Sequence, residues 1–192
     1  MSLVPAFEIG VWNAWIFMVW LLIQNLVVMA NKNLCQRSGG GSDTKPSQAQ
    51  KIVNILSTLL WLLSTAYSIF LPLKLGTAWF AAGLVIFLLG LVATVIATID
   101  FATTPINEPV TRGAYRYSRH PAYAGLVLIY LGVSIASASW VFLLVTAVWL
   151  VLLGISAKDE EGYCLERYGT AYREYMNRTP RWLGIPKVAK SK

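Results

Sequence analysis

Four long apolar runs decide most of what this chain can fold into. Three of them, at roughly 9–30, 51–73 and 76–99, have the length of one helical crossing of a bilayer's hydrocarbon core, which takes about 20 residues. The fourth, 121–157, is too long for one crossing and is interrupted by "SIASAS", Ser134 to Ser139, where small polar residues replace bulky apolar ones. It reads as a helical hairpin whose first arm is short and therefore tilted or partly inserted. With 56% hydrophobic and only 13% charged residues, the expected class is an all-α integral membrane protein. It has about five transmembrane helices, the last two forming the hairpin. Segment 9–30 is expected to remain as a mature helix: Glu8 is the only charge before it, and its apolar part exceeds that of a signal peptide.

Lys and Arg favour cytoplasmic loops. Under five crossings one face collects Lys32, Arg37, Lys45 and Lys51, then Arg112, Arg116 and Arg119, then the eight basic residues of the tail, whereas the other face has only Lys74. This places the N-terminus outside and the C-terminal tail inside. The net charge of +7 is thus a topology signal, with attraction to anionic membrane lipids second. Nucleic-acid binding is not expected, because Glu and Tyr are mixed through the basic tail. Cys35 and Cys164 both fall on the cytoplasmic side, where thiols stay reduced. Two cysteines and one histidine far apart in sequence give no metal-ligand spacing, and no metal is expected.

Residues 31–50, with their Gly-Gly-Gly-Ser run, have the composition of a flexible loop. Gly76, Gly83, Gly90 and Ala97 recur every seven residues, a small-residue stripe that lets a neighbouring helix approach closely. Trp12, Trp15, Trp61, Trp79 and Trp140 lie near span ends and read as interfacial anchors. No transporter-like internal repeat is visible. The polar residues gather at one interface rather than at the midplane, which points to interfacial chemistry on the cytoplasmic side. Two regions follow: 1–106, the first three spans with the loop, and 107–192, where that chemistry sits.

Three polar pieces converge there. In "NEPVTRGAYRYSRHPAYAG", Asn107 to Gly125, Pro121 suits the first turn of a helix. That helix start, with Arg116 and Arg119 beside it, would hold a carboxylate or phosphate. In "KDEEGY", Lys158 to Tyr163, Glu160 and Glu161 point about 100° apart on a helix, so they cannot serve one small group alike. In "ERYGTAYREYMNRTPR", Glu166 to Arg181, a short cytoplasmic amphipathic helix follows a break at Gly169, with Tyr172 and Tyr175 at headgroup level.

"GAYRYSRHPAYAG", followed after the hairpin by "DEEGYCLERYGTAYREYMNRTPR", resembles the membrane-embedded methyltransferase superfamily. The isoprenylcysteine carboxyl methyltransferases and the phospholipid methyltransferases belong to it. The likeness covers about 107–182, and parts of the pattern are shared with sterol reductases. It implies S-adenosylmethionine held at the cytoplasmic interface and a lipid-like acceptor entering from the bilayer. It also implies cofactor contacts from Gly113, Tyr115, Arg119, His120, Pro121, Tyr123, Gly125, Glu160 and Glu161, with Arg178 adding to the site. The chain has no element assignable to prenyl-chain recognition, which leaves a phospholipid amine at least level with a prenylcysteine carboxylate. An acceptor amine has to lose a proton, for which Glu160 or Glu161 is the base, with His120 the alternative. Two other readings stand beside this one: a nicotinamide-dependent reductase of an apolar substrate, and a non-enzymatic membrane scaffold. Sequence leaves the acceptor and the oligomeric state open.

Overall fold

The computed structural model describes residues 7–31, 34 and 47–187. Most of the expected 31–50 loop, including its Gly-Gly-Gly-Ser run, lies outside the described residues. Among the described residues the elements are α1 (Trp15–Ala30), α2 (Gln48–Ser68), α3 (Ala78–Thr103), a 3-10 turn (Gly113–Arg116), α4 (Pro121–Ala136) and α5 (Trp140–Arg178). There is no strand among them, only one isolated bridge between Asn13 and Pro72.

That bridge explains why the first two helices are shorter than their apolar runs. Residues 7–14 pair with the α2–α3 link instead of coiling: Ala14 N donates to Leu71 O at 2.8 Å and Leu73 N to Trp12 O at 3.1 Å. The Asn13 side chain donates to Glu8 O at 2.6 Å and to Ile69 O at 2.7 Å. These bonds satisfy carbonyls that a helix from residue 9, or one running to residue 73, would have used internally. Pro72 has no N–H to continue α2.

The tightest pairing is α3 against α4, and glycines on both helices make it. A Cβ on Gly83 would lie 2.3 Å from Ala136 N, one on Gly90 2.7 Å from Gly125 O, and one on Gly132 2.6 Å from Phe87 N. Backbone therefore packs on backbone, and dispersion across the contact takes the place of the weak hydrophobic drive between apolar helices. Gly76 is not part of this stripe: it sits in the turn before α3 at φ +72° with nothing near its Cβ position.

The expected hairpin is present, with α4 and α5 joined by Ser137 to Ser139. The Ser139 hydroxyl caps α5 by accepting from Phe142 N at 3.3 Å. Hydrogen bonds between side chains tie the bundle internally, Ser134 to Thr146 at 3.1 Å and Ser64 to Tyr130 at 3.1 Å. No residue of α4 is exposed, whereas α1, α2, α3 and α5 turn apolar side chains outward, among them Leu26, Leu63, Leu89 and Val151. Ala78–Thr103 and Trp140–Arg178 are long and apolar enough to cross a membrane; Trp15–Ala30 and Pro121–Ala136 are shorter apolar helices.

The expected break at Gly169 is present, and the helix resumes after it. Gly169 has φ +55° and ψ −125°, which is not helical, so α5 consists of two helical segments joined by a kink. Tyr172 and Tyr175, expected at headgroup level, are instead buried with Val110, Tyr115 and Ala97. The kink turns their face back onto the loop that leads into α4.

Candidate functional site

The loop that carries the site is held from below by Asp100, in the last turn of α3. Its carboxylate accepts from Ala114 N at 2.8 Å. Gly113 adopts φ +59°, and a Cβ there would lie 2.1 Å from the same carboxylate. Only glycine fits a position that is both left-handed and that close to a neighbour. The Tyr175 hydroxyl then donates to Tyr115 O at 2.7 Å, and the Tyr115 ring stacks on Phe101. Burial, with Cys164 and the nearby carboxylates adding to it, raises the phenol of Tyr172; burial likewise raises that of Tyr175 against the lowering effect of Arg119. Tyr175 is therefore a neutral donor at physiological pH.

Past this anchor, the Ser118 hydroxyl accepts from His120 N at 3.1 Å, and His120 becomes the residue before the first turn of α4, with Pro121 at its start. The turn aims the imidazole at α5. There Nε2 of His120 lies 3.2 Å from Oε1 of Glu161, and Nδ1 lies 3.4 Å from Oε2 of Glu160. The adjacent glutamates thus straddle one ring, which their angular separation on a helix allows. Arg119 Nη1 stands 3.3 Å from Glu161 Oε1. The Tyr123 ring stacks on the imidazole at 5.2 Å, and its hydroxyl interacts with Glu160.

One arginine that completes the cluster was not among the sequence candidates. Arg181 grips Glu161 with two bonds, Nε to Oε1 at 3.0 Å and Nη2 to Oε2 at 2.5 Å. Arg178, which was among them, lies outside the cluster: its side chain is exposed and, among the described residues, donates to Glu174 O of its own helix at 3.4 Å. Thr179-Pro180 ends α5 and lets the next residue turn back, but nothing local in the sequence names Glu161 as its partner. Arg119 N donates to Pro180 O at 3.0 Å and Gly184 N to Tyr117 O at 3.0 Å, so residues 180–184 lie as a strap along the loop. Trp182 comes with it, its ring 6.2 Å from that of His120.

The candidates therefore divide. Arg119, His120, Tyr123, Glu160 and Glu161 meet in one cluster. Gly113, Tyr115 and Pro121 shape the loop and helix start that aim it. Gly125 packs against α3, where a Cβ would lie 2.6 Å from Thr94 Cγ2.

The two glutamates differ in environment. Glu161 is buried, which by itself opposes ionisation, but the bonds and charges of Arg181, Arg119 and His120 outweigh that and hold its carboxyl below the usual value. Glu160 is the freer carboxylate, its side chain 38% exposed. The Nε of Arg119 is buried and has no hydrogen-bond partner among the described residues. Fixed cations and a partly free carboxylate side by side, at the end of a helix that no side chain caps, suit a ligand that carries charges of both signs.

A model of the phospholipid methyltransferase family matches residues 73–171, just over half of the 192 residues, covering all of α3 and α4 and α5 as far as residue 171. No curated protein and no solved structure matches the chain.

Proposed function

The chain belongs to the phospholipid methyltransferase family, and on that premise we propose that it transfers a methyl group from S-adenosylmethionine to a lipid or lipophilic acceptor at the cytoplasmic face of a membrane. The family favours a phospholipid headgroup amine as the acceptor. The observation that carries the reading is the cluster of Arg119, His120, Glu160, Glu161 and Arg181 at the polar end of a bundle whose outer faces are apolar.

The donor set fits S-adenosylmethionine. Its methionine part has a carboxylate, for which Arg119 offers an unpartnered buried Nε, and an ammonium, for which Glu160 offers a half-open carboxylate. Bound there, the donor supplies an electrophilic methyl group on a sulfonium, which transfers by in-line displacement. The protein's own tasks are to orient the partners and to keep water out. Glu161, saturated by three partners, holds Arg119, His120 and Arg181 in place. Glu160, with capacity to spare, is the carboxylate placed to take the proton from an acceptor amine. The Tyr123 ring stacked on His120, with the Trp182 ring tilted beside it, gives the cluster an apolar side that limits water and suits a cation.

In this reading α1 to α5 each cross the bilayer, with the N-terminus outside, and the catalytic region, 107–192, carries its polar cluster on the inner side. Calorimetric titration of the detergent-solubilised protein with S-adenosylhomocysteine, with NADPH in parallel, tests the proposal. Saturable binding of the first alone is the expected result. Binding of NADPH alone would make the chain a reductase, and binding of neither by folded protein would leave a scaffold without this activity.

A further inference from the structure

The strap after α5 has two unlike sides. Inward, Arg181 binds Glu161 through two bonds and Trp182 sits by His120. Its backbone is fixed at several points: Pro180 O accepts from Arg119 N, Gly184 N donates to Tyr117 O, and Lys187 N donates to Arg178 O at 2.8 Å. The Ser118 hydroxyl adds a bond to Arg181 O. Outward, Leu183 and Ile185 are 82% and 89% exposed, and Trp182 shows 40% of its surface. These bonds orient the strap so that Arg181 and Trp182 face the cluster while Leu183 and Ile185 face outward.

What lies against them is indicated by depth and by charge. The strap is bonded to residues 117–119, immediately before the first turn of α4, so it sits at the level where the apolar bundle ends. Arg178 and Lys187 flank the strap, joined by the bond from Lys187 N to Arg178 O, and the sequence continues with Lys190 and Lys192. An indole, two aliphatic side chains and flanking cations at the end of an apolar bundle are what an anionic membrane surface accepts.

Resting on the membrane-embedded reading above, we infer that Leu183 and Ile185 enter the headgroup–acyl boundary of an anionic bilayer, so that lipid itself holds the strap closed over the site. Arg181 and Trp182 then depend on the membrane for their position. The inward and outward sides are two residues apart, so the site cannot release Arg181 without drawing the apolar tip away from lipid.

Site-directed spin labelling of the full chain in phosphatidylcholine vesicles, with and without phosphatidylglycerol, tests this. Single cysteines replace Ile185, Glu166 and Leu89 in a Cys35→Ser, Cys164→Ser background, and collisions with oxygen and with a water-soluble nickel chelate are compared. Leu89 is an exposed apolar residue of α3 and Glu166 an exposed charged one beyond the span, so they report lipid and water. The label at 185 is expected to favour oxygen over nickel several-fold more than the label at 166, and more strongly when phosphatidylglycerol is present. Nickel access at 185 equal to that at 166, with lipid exposure retained at 89, overturns this inference alone. Protection at 185 from both reagents overturns it in favour of a protein contact, such as a second copy. Water exposure at 89 overturns the membrane-embedded reading and this inference with it.

Discussion

Glu161 and its three partners are where a single substitution says most. Glu161 is buried and ionised only because Arg119, His120 and Arg181 compensate it. Removing its charge strands two guanidinium groups, and breaking a buried pair from one side typically costs about 3–5 kcal/mol. Glu161→Gln is therefore expected to lower the unfolding midpoint in detergent at neutral pH and to abolish donor binding. The pH dependence has a definite sign. The folded value of Glu161 lies below its ordinary 4.5, so the unfolded chain binds the proton more readily. The stabilisation is complete above that ordinary value and is lost as pH falls through the lowered folded one. Across that acidic window the wild type should lose stability with a slope that Glu161→Gln lacks, as unfolding midpoints against pH would show. Arg181 and Arg178 make a second contrast. Arg181→Ala removes both bonds to Glu161 and should weaken S-adenosylhomocysteine binding about tenfold, equivalent to about 1.4 kcal/mol. Arg178→Ala removes an exposed side chain and should leave affinity unchanged and stability within about 0.5 kcal/mol. Equal losses in the two variants would show that the C-terminal cations act through net charge rather than through the strap.

Among the elements, α3 and α4 depend most on what is absent from their surfaces. A methyl on Gly83 would meet backbone atoms of α4 at 2.3 Å and 2.6 Å, and backbone cannot rotate aside as a side chain can. Gly83→Ala should therefore push the helices apart at a cost of about 1–3 kcal/mol. Gly154, inside α5, has nothing within 4 Å of its Cβ position. Gly154→Ala should be neutral or stabilising by up to about 1 kcal/mol, the helix preference of alanine over glycine. Thermal unfolding of the two variants in one detergent checks both. The seven-residue spacing of Gly83, Gly90 and Ala97 made this contact legible in the sequence, because a repeated small residue on one helix face has few uses besides close packing. The hairpin was legible too, from an apolar run too long for one helix and broken by serines. The true start of α1 was not, since nothing local in residues 9–14 says that their backbone will bond to residues 69–73, more than fifty positions away. The site divides along the same line. His120 and the glutamate pair were readable as local motifs. Arg181 was not, because its partner lies 20 residues earlier and is reached only after the chain kinks at Gly169 and turns back at Pro180.

For the molecule as a whole, the two ends of the bundle are chemically unequal, and this asymmetry predicts its orientation. One end gathers residues 7–14, the α2–α3 link and the α4–α5 turn, with Lys74 N donating to Ala136 O across it at 2.9 Å. Its charged side chains among the described residues are Glu8 and Lys74. The other end holds the loop after α3 and residues 158–187, including Arg112, Arg116, Arg119, Arg167, Arg173, Arg178 and Arg181. Basic residues close to span ends resist translocation, so the second end should face the cytoplasm. The structure adds a reason that charge counting lacks. The strap, the kinked end of α5 and the loop before α4 are bonded into one unit, so they must lie on the same side of the membrane. Single cysteines at Lys74 and Glu166, in a chain without its native cysteines, test this in intact cells with a membrane-impermeant maleimide. Lys74→Cys should react from outside, whereas Glu166→Cys should react only after the membrane is opened. Labelling of both from outside would require an even number of crossings between them and so would contradict three helices, α3 to α5, passing through the bilayer. The reverse pattern would keep the crossings but place the cluster of Arg119, His120 and the two glutamates on the outer face. There an intracellular methyl donor could not reach it, and the proposed reaction would fail on topology alone.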